Sequence, residues 1–111
     1  MSTSVNLILQ DCRNGLLKMF DHKLKRVLLY GSYARGDFNS ESDIDIMVLV
    51  EMSEQDIKSI RAEITDLGAE ISYNNDILVS MIAKDMNQFN SWLPIHPFYK
   101  NVIREGVEVF G

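Results

Sequence analysis

The sequence predicts an α/β (α+β) fold: a small mixed β-sheet flanked by helices, in one domain spanning residues 1–111. Three observations predict it. Stretches with helical periodicity alternate with short apolar runs bounded by glycine and polar residues. The first two apolar runs are joined by a loop too short to hold a crossover helix, which makes them antiparallel neighbours. A third run follows a long helical stretch, and an antiparallel pair combined with such a connection gives a mixed sheet.

Ser2, Thr3 and Ser4 offer N-caps to a first helix. Leu7, Ile8, Cys12, Leu16, Met19 and Phe20 recur at helical spacing, so this helix ends near His22. "RVLLYG", Arg26 to Gly31, is a buried strand stopped by glycine. Ser32 to Gly36 has room for a single helical turn, and "DFNSES" is loop chemistry. Asp43 to Val50 is the second strand. Ser53 followed by Asp56 resembles a capping box. Ile57, Ile60, Ile64 and Leu67 mark one face of a second long helix that Gly68 ends. "NNDILVSMIA", Asn74 to Ala83, reads as the third strand, and Lys84 to Asn90 as a loop or short helix. After Pro94 and Pro97, Phe98 to Arg104 forms a helix stopped at Gly106. Val107, Val109 and Phe110 form a short edge strand.

Bulk composition narrows the function. The chain has 111 residues, 46% of them hydrophobic, which supports a real core in one domain of ordinary size. A net charge of −5 argues against direct nucleic-acid binding, which needs a basic face. It leaves open a substrate whose phosphates are bridged by metal ions. Cys12 is the only cysteine, so no internal disulfide forms. No apolar run approaches the ~20 residues of a membrane helix, and "MSTSVNLILQ" lacks a basic segment and a long enough apolar core for a signal peptide. These features predict a cytoplasmic protein without membrane contact.

Asp43 and Asp45 stand two residues apart in a strand, so their side chains share one side while Ile44 and Ile46 face the other. Neighbouring carboxylates repel, and a hard divalent cation such as Mg²⁺ relieves the repulsion while keeping positions for water and substrate phosphates. The plainer alternative is that Asp43 caps the strand and Asp45 faces solvent. Asp76, opening the third run, meets Asp45 if the two strands are neighbours; otherwise it is a strand-edge residue after an Asn-Asn turn.

"YGSYARG" supplies the second half of a site. Gly31 permits close approach of a ligand to the backbone. Ser32 and the following amides make a small anion cradle, and Gly36 supports the next bend. Ten residues separate Ser32 from Asp43, which sets an anion cradle beside a metal pair. Arg35 adds a charge-assisted contact to phosphate, or forms a salt bridge to Asp37 or Glu41.

The pattern Gly31-Ser32, ten residues, Asp43-x-Asp45 resembles the signature of the DNA polymerase beta-type nucleotidyltransferase superfamily, which "GSYARGDFNSESDIDIMV" covers almost without departure. The ending "PFYKNVIREGVEVFG" is similar to the tail of its minimal nucleotidyltransferase branch. The resemblance implies two Mg²⁺ ions, a nucleoside triphosphate (most often ATP), and Asp76 in the place of the third carboxylate. It implies catalytic and metal-binding roles for Asp43, Asp45 and Asp76, with Gly31 and Ser32 on the nucleotide, where the charge of Arg35 would join them. It also implies an antitoxin paired with a HEPN-type toxin, able to transfer AMP from ATP to a toxin tyrosine.

Two other functions remain open to the sequence. One is a non-catalytic antitoxin that neutralises its partner by binding; the other is a nucleotidyltransferase acting on a small molecule of the aminoglycoside type. About thirty residues follow the third strand, too few for an acceptor-binding domain of ordinary size. That favours an acceptor presented by a partner protein. Trp92, Leu93, Pro94, Ile95, Pro97, Phe98 and Tyr99 form either a docking surface for it or the closing side of the core. His22 and His96 read as surface or capping residues, the six methionines as core filler, and "KLKR" as a solvated helix end.

Overall fold

A computed structural model of the protein describes residues 3–111. Ten elements follow in order: α1 (Thr3–Phe20), β1 (Leu24–Tyr30), α2 (Ser32–Arg35), β2 (Ile44–Val50), α3 (Glu54–Ser59), α4 (Arg61–Asn75), β3 (Val79–Asp85), α5 (Met86–Trp92), α6 (Pro97–Glu105) and β4 (Val107–Phe110). A single 3₁₀ turn, Asp21–Lys23, links α1 to β1.

The four strands form one sheet in the order β3-β2-β1-β4. β1 runs antiparallel to β2 and to β4, while β2 and β3 are parallel, so the sheet is mixed as the short first connection predicts. β2 lies second from the edge and is buried on both sides. Ile44, Ile46, Val48 and Val50 enter the main core with Ile8, Cys12, Leu16 and Phe20 of α1 and with Ile64 and Ile71 of α4. Met47 and Leu49 face the other way and join Leu28, Phe89 of α5 and Val102 of α6 in a second, smaller core. Strand alternation therefore turns Asp45 toward the α5–α6 side.

Several boundaries differ from the sequence reading, each for a packing reason. The predicted cap at Ser2 lies outside the described residues. The buried stripe of α1 is Val5, Ile8, Leu9, Cys12, Leu16 and Phe20, whereas Leu7 is exposed, being a full residue's rotation off that line. β1 starts at Leu24, whose side chain is also buried. Ser53 does cap the next helix, its Oγ accepting from Asp56 N at 3.1 Å, but that helix breaks at Ile60 into α3 and α4. Gly68 does not end α4. It is buried inside it, and an added Cβ would stand 3.2 Å from the Val79 carbonyl oxygen. The glycine lets the helix approach β3 closely. α4 instead ends at Asp76, which takes a left-handed conformation (φ 53°, ψ 39°). The third strand accordingly begins at Val79, not at Asn74.

Beyond it, Asp85 caps α5 by accepting from Asn87 N at 2.9 Å. His96 Nδ1 caps α6 by accepting from Tyr99 N, consistent with a capping histidine. The apolar group around Trp92 divides between its two expected uses. Leu93 and Tyr99 pack against the smaller core, while Trp92, Ile95 and Phe98 are exposed.

Candidate active site

The site begins where β1 ends. Tyr30 is the last residue of β1 and lies directly opposite Asp45 of β2. Gly31 follows with φ 78° and ψ −157°, a backbone conformation that side-chain-bearing residues scarcely adopt. Its missing side chain is needed for a second reason: a Cβ there would lie 2.5 Å from Asp45 Oδ2. The Gly31 backbone and the Asp45 carboxylate therefore pack against each other. α2 starts at once, and its first internal hydrogen bonds run from the Ala34 and Arg35 amides to the Gly31 carbonyl, both at 3.1 Å. The amides of Ser32 and Tyr33 precede these bonds, as the first N–H groups of any helix do.

The loop from α2 to β2 is ordered by its own polar groups. Asn39 N donates to Ser42 Oγ at 2.9 Å, Glu41 N to Asn39 Oδ1 at 2.8 Å, and Ser42 N to the Asn39 carbonyl at 3.1 Å. Buried Tyr33 stacks on Phe38 with ring centroids 4.3 Å apart and planes 9° from parallel, fastening the loop to α2. Asp43 ends this loop, one residue before the strand proper, and the Ile44 amide bonds the Leu78 carbonyl of the neighbouring chain segment at 2.9 Å. Asp43 is exposed and Asp45 half-buried.

The two acids sense each other. Burial raises the carboxyl pKa of Asp45 first, the Asp43 charge raises it further, and Arg35 acts in the opposite direction. Burial, with a smaller contribution from Asp45, also pushes the Tyr30 hydroxyl up to about 12, so this phenol stays protonated beside the acids. Arg35 makes ion pairs with Asp37 (3.2 Å) and Glu105 (3.4 Å). Of its two expected ion-pair partners, Asp37 is found and Glu41 is not. Glu105 ties α2 to α6 across the sequence.

Asp76 is not at the start of β3. It caps α4 and borders a surface hollow with Ser72, Tyr73, Ile77 and Leu78, a group that includes neither Asp43 nor Asp45. Among the described residues no group of three or more His, Cys, Asp or Glu side chains is placed to hold a metal ion. The reason is the length of α4: continued through Asn75, it consumes the residues that the sequence reading gave to the strand. The β3 residue paired with Asp45 is Ser80, with Leu78 and Ile82 flanking it on the same side. Sequence reading missed Ser80. The signal that finds it is register, which places Val79 beside Ile44 and hence Ser80 beside Asp45.

The donor chemistry of the pair suits a hard divalent cation. Two adjoining carboxylates, one exposed and one half-buried, provide anionic oxygens and leave coordination positions for water and phosphate.

A four-stranded mixed sheet with a Gly-Ser turn after its first strand and an Asp-x-Asp pair at the head of its second defines the class. The chain belongs to the nucleotidyltransferase domain family, whose profile matches residues 9–107. It is 36% identical over 75 residues to a provisionally assigned protein adenylyltransferase of Methanocaldococcus jannaschii, covering 68% of this chain and 74% of the relative. Among solved structures, the fold is similar to that of a toxin–antitoxin crystallised with AMP-PNP, with a TM-score of 0.59 at 23% identity over 92% of this chain and 73% of the other. It also resembles a chain in the complex of the tri-AMPylated Shewanella oneidensis HEPN toxin with its MNT antitoxin (TM-score 0.50, 21% identity, 93% of this chain and 72% of the other).

Among the described residues no helix is long and apolar enough to cross a membrane.

Proposed function

We propose that the chain transfers an adenylyl group from ATP, with Mg²⁺, to a hydroxyl of a partner protein, and that it is the antitoxin of a pair whose toxin, of HEPN type, is modified on tyrosine. The observation that carries this reading is the contact between Gly31 and Asp45, which joins the anion-binding turn and the acidic pair into one surface. The M. jannaschii relative's assignment and the likeness to an antitoxin bound to an AMPylated toxin support the choice of acceptor. The lone, buried Cys12 suits a cytoplasmic setting.

In this reading Asp43 and Asp45 hold the cation, and Asp76, at the end of α4, is left out of the ligand set. Bound there, Mg²⁺ would offset the repulsion of the pair and stabilise charge on the α-phosphoryl oxygens. The amides following Gly31 and the Ser32 hydroxyl receive the β- and γ-phosphates, and Arg35 adds a cation beside them. The acceptor oxygen bonds to the α-phosphorus, the bond from that phosphorus to the bridging oxygen breaks, and pyrophosphate leaves on the α2 side. In-line geometry brings the acceptor from the opposite side of the pair, where Ser80 lies. The acceptor's proton leaves to solvent water beside the exposed Asp43, and a phenol, with pKa about 10, gives it up more readily than an aliphatic alcohol.

The test is incubation with labelled ATP, Mg²⁺ and the co-expressed partner. Label on the partner, abolished by Asp43→Asn or Asp45→Asn with the fold retained, is the expected result. A transfer rate unchanged in either variant ends the mechanism. A tight, unlabelled complex would instead support neutralisation by binding alone, a reading favoured by the exposed Trp92 and Ile95.

A further inference from the structure

Between β1, α2 and α6 lies a cavity of about 360 Å³, bordered by Tyr30, Gly31, Arg35, Phe98, Asn101 and Glu105. Its size falls within the range of small-ligand sites. It shares Gly31 and Arg35 with the proposed phosphate-binding turn, and Tyr30 is the register partner of Asp45. A ligand anchored on the acids therefore has this cavity as a neighbour.

The lining combines a cation with aromatic rings and hydrogen-bonding side chains. Gly31 and the Arg35 guanidinium, which pairs with Glu105 at 3.4 Å, belong to the proposed phosphate-binding turn. Beside them stand an aromatic corner and two hydrogen-bonding side chains, Asn101 and Glu105. The Tyr30 and Phe98 rings meet at 82° with centroids 5.6 Å apart. A flat heterocycle lying on one ring of such a corner meets the other edge-on, a favourable arrangement for both. Phe98 keeps 40% of its surface exposed, so it has a face to offer. Asn101 Oδ1 already accepts from Arg104 Nη2 at 2.7 Å, which leaves its amide hydrogens for a ring nitrogen or carbonyl. The Glu105 carboxylate accepts from Arg35 and Arg104 and has lone pairs to spare for an amino group or sugar hydroxyls. Its charge, offset in part by Arg35 at 3.4 Å, favours a neighbour rich in hydrogen-bond donors over a further anion.

The geometry points to the nucleoside of the bound triphosphate as the occupant of this cavity, its base stacked on Phe98 and its polar edge or sugar hydroxyls met by Asn101 and Glu105. This inference rests on the nucleotidyl-transfer reading above and adds where that site distinguishes a nucleoside from a bare polyphosphate.

Inorganic tripolyphosphate separates the two ideas, because it carries the phosphates without the nucleoside. Calorimetric titration with Mg²⁺ present compares ATP and tripolyphosphate on the intact chain and on Phe98→Ala and Asn101→Ala. Loss of one base-stacking ring weakens binding by roughly tenfold or more. Phe98→Ala is expected to weaken ATP by about that factor while tripolyphosphate changes less than about twofold, and Asn101→Ala to act in the same direction. Asn101 is exposed, so its variant keeps the fold even if Phe98→Ala should not. ATP binding unchanged in a folded Phe98→Ala and in Asn101→Ala overturns the inference and leaves the transfer reading standing. Equal weakening of both ligands also overturns it. A wild-type chain that binds neither ligand overturns both.

Discussion

Replacing Gly31 with alanine tests the joint between the turn and the acidic pair. Two effects act on the variant. The first is backbone strain: φ 78° with ψ −157° lies in a region essentially reserved for glycine, and holding another residue there costs about 1–3 kcal/mol. The second is steric. The new Cβ would lie 2.5 Å from Asp45 Oδ2, whereas ordinary contact begins at 3.4 Å, so the carboxylate or the turn must move by about 0.9 Å. A displacement of roughly 1 Å in catalytic geometry lowers rate by about 10²-fold. At roughly 4 °C per kcal/mol for a domain near this size, the strain alone lowers Tm by roughly 4–12 °C. Scanning calorimetry and the kcat/KM for labelled transfer to the partner read the two effects separately. A double variant divides them further: with Asp45→Ala already made, the clash is gone and only the strain remains, so Gly31→Ala should destabilise that background less than the wild type. Wild-type kcat/KM and a Tm within about a degree in Gly31→Ala would refute the reasoning about this contact.

Other perturbations follow from the same geometry. Asp45→Asn should raise Tm without metal. Its carboxyl pKa is raised in the folded chain, so the ionised group weakens the fold at pH values above the unfolded value of 3.8 and has no such effect below it. The gain in Tm is expected at about pH 7 and should vanish by about pH 3, and a gain that persists in acid would contradict it. Ser80→Asp puts a third carboxylate opposite Asp45. Metal-free, the variant should melt lower than the wild type at neutral pH, and Mg²⁺ should raise its Tm more steeply. An identical Mg²⁺ titration in the two proteins would show that position 80 does not face the pair. Cys12 is fully buried, and burial, aided by Asp11, pushes its thiol up to about 12. A thiol reagent should therefore label it only as fast as the protein opens, with the rate rising along the denaturant unfolding curve; prompt stoichiometric labelling of native protein would contradict this.

Local chemistry was enough to find most of the elements. Ser53 with Asp56 marks a helix start, Pro97 punctuates the chain just ahead of the helix read from Phe98, and Gly31 stops β1, because caps and breakers act over a few residues. The Asp43-x-Asp45 spacing at the head of an apolar run was legible for the same reason, although Asp43 ends the loop and only Asp45 lies within β2. Asp76 was misplaced because Gly68 carries two meanings that only packing separates. A glycine in a helical pattern can end the helix, or can lie against a neighbouring strand where no side chain fits; the Val79 carbonyl, 3.2 Å from its Cβ position, selects the second.

What the sequence determined by itself was the mixed sheet, the two acids at the head of β2 and the glycine turn ahead of them, all set by backbone periodicity and short-range bonding. Tertiary structure decided which residue of β3 meets Asp45, that Glu105 reaches Arg35 from seventy positions away, and that Phe98 stands against Tyr30. Those contacts depend on strand register and on how α4 and α6 seat on the sheet, quantities fixed by the summed packing of distant side chains and by no local signal.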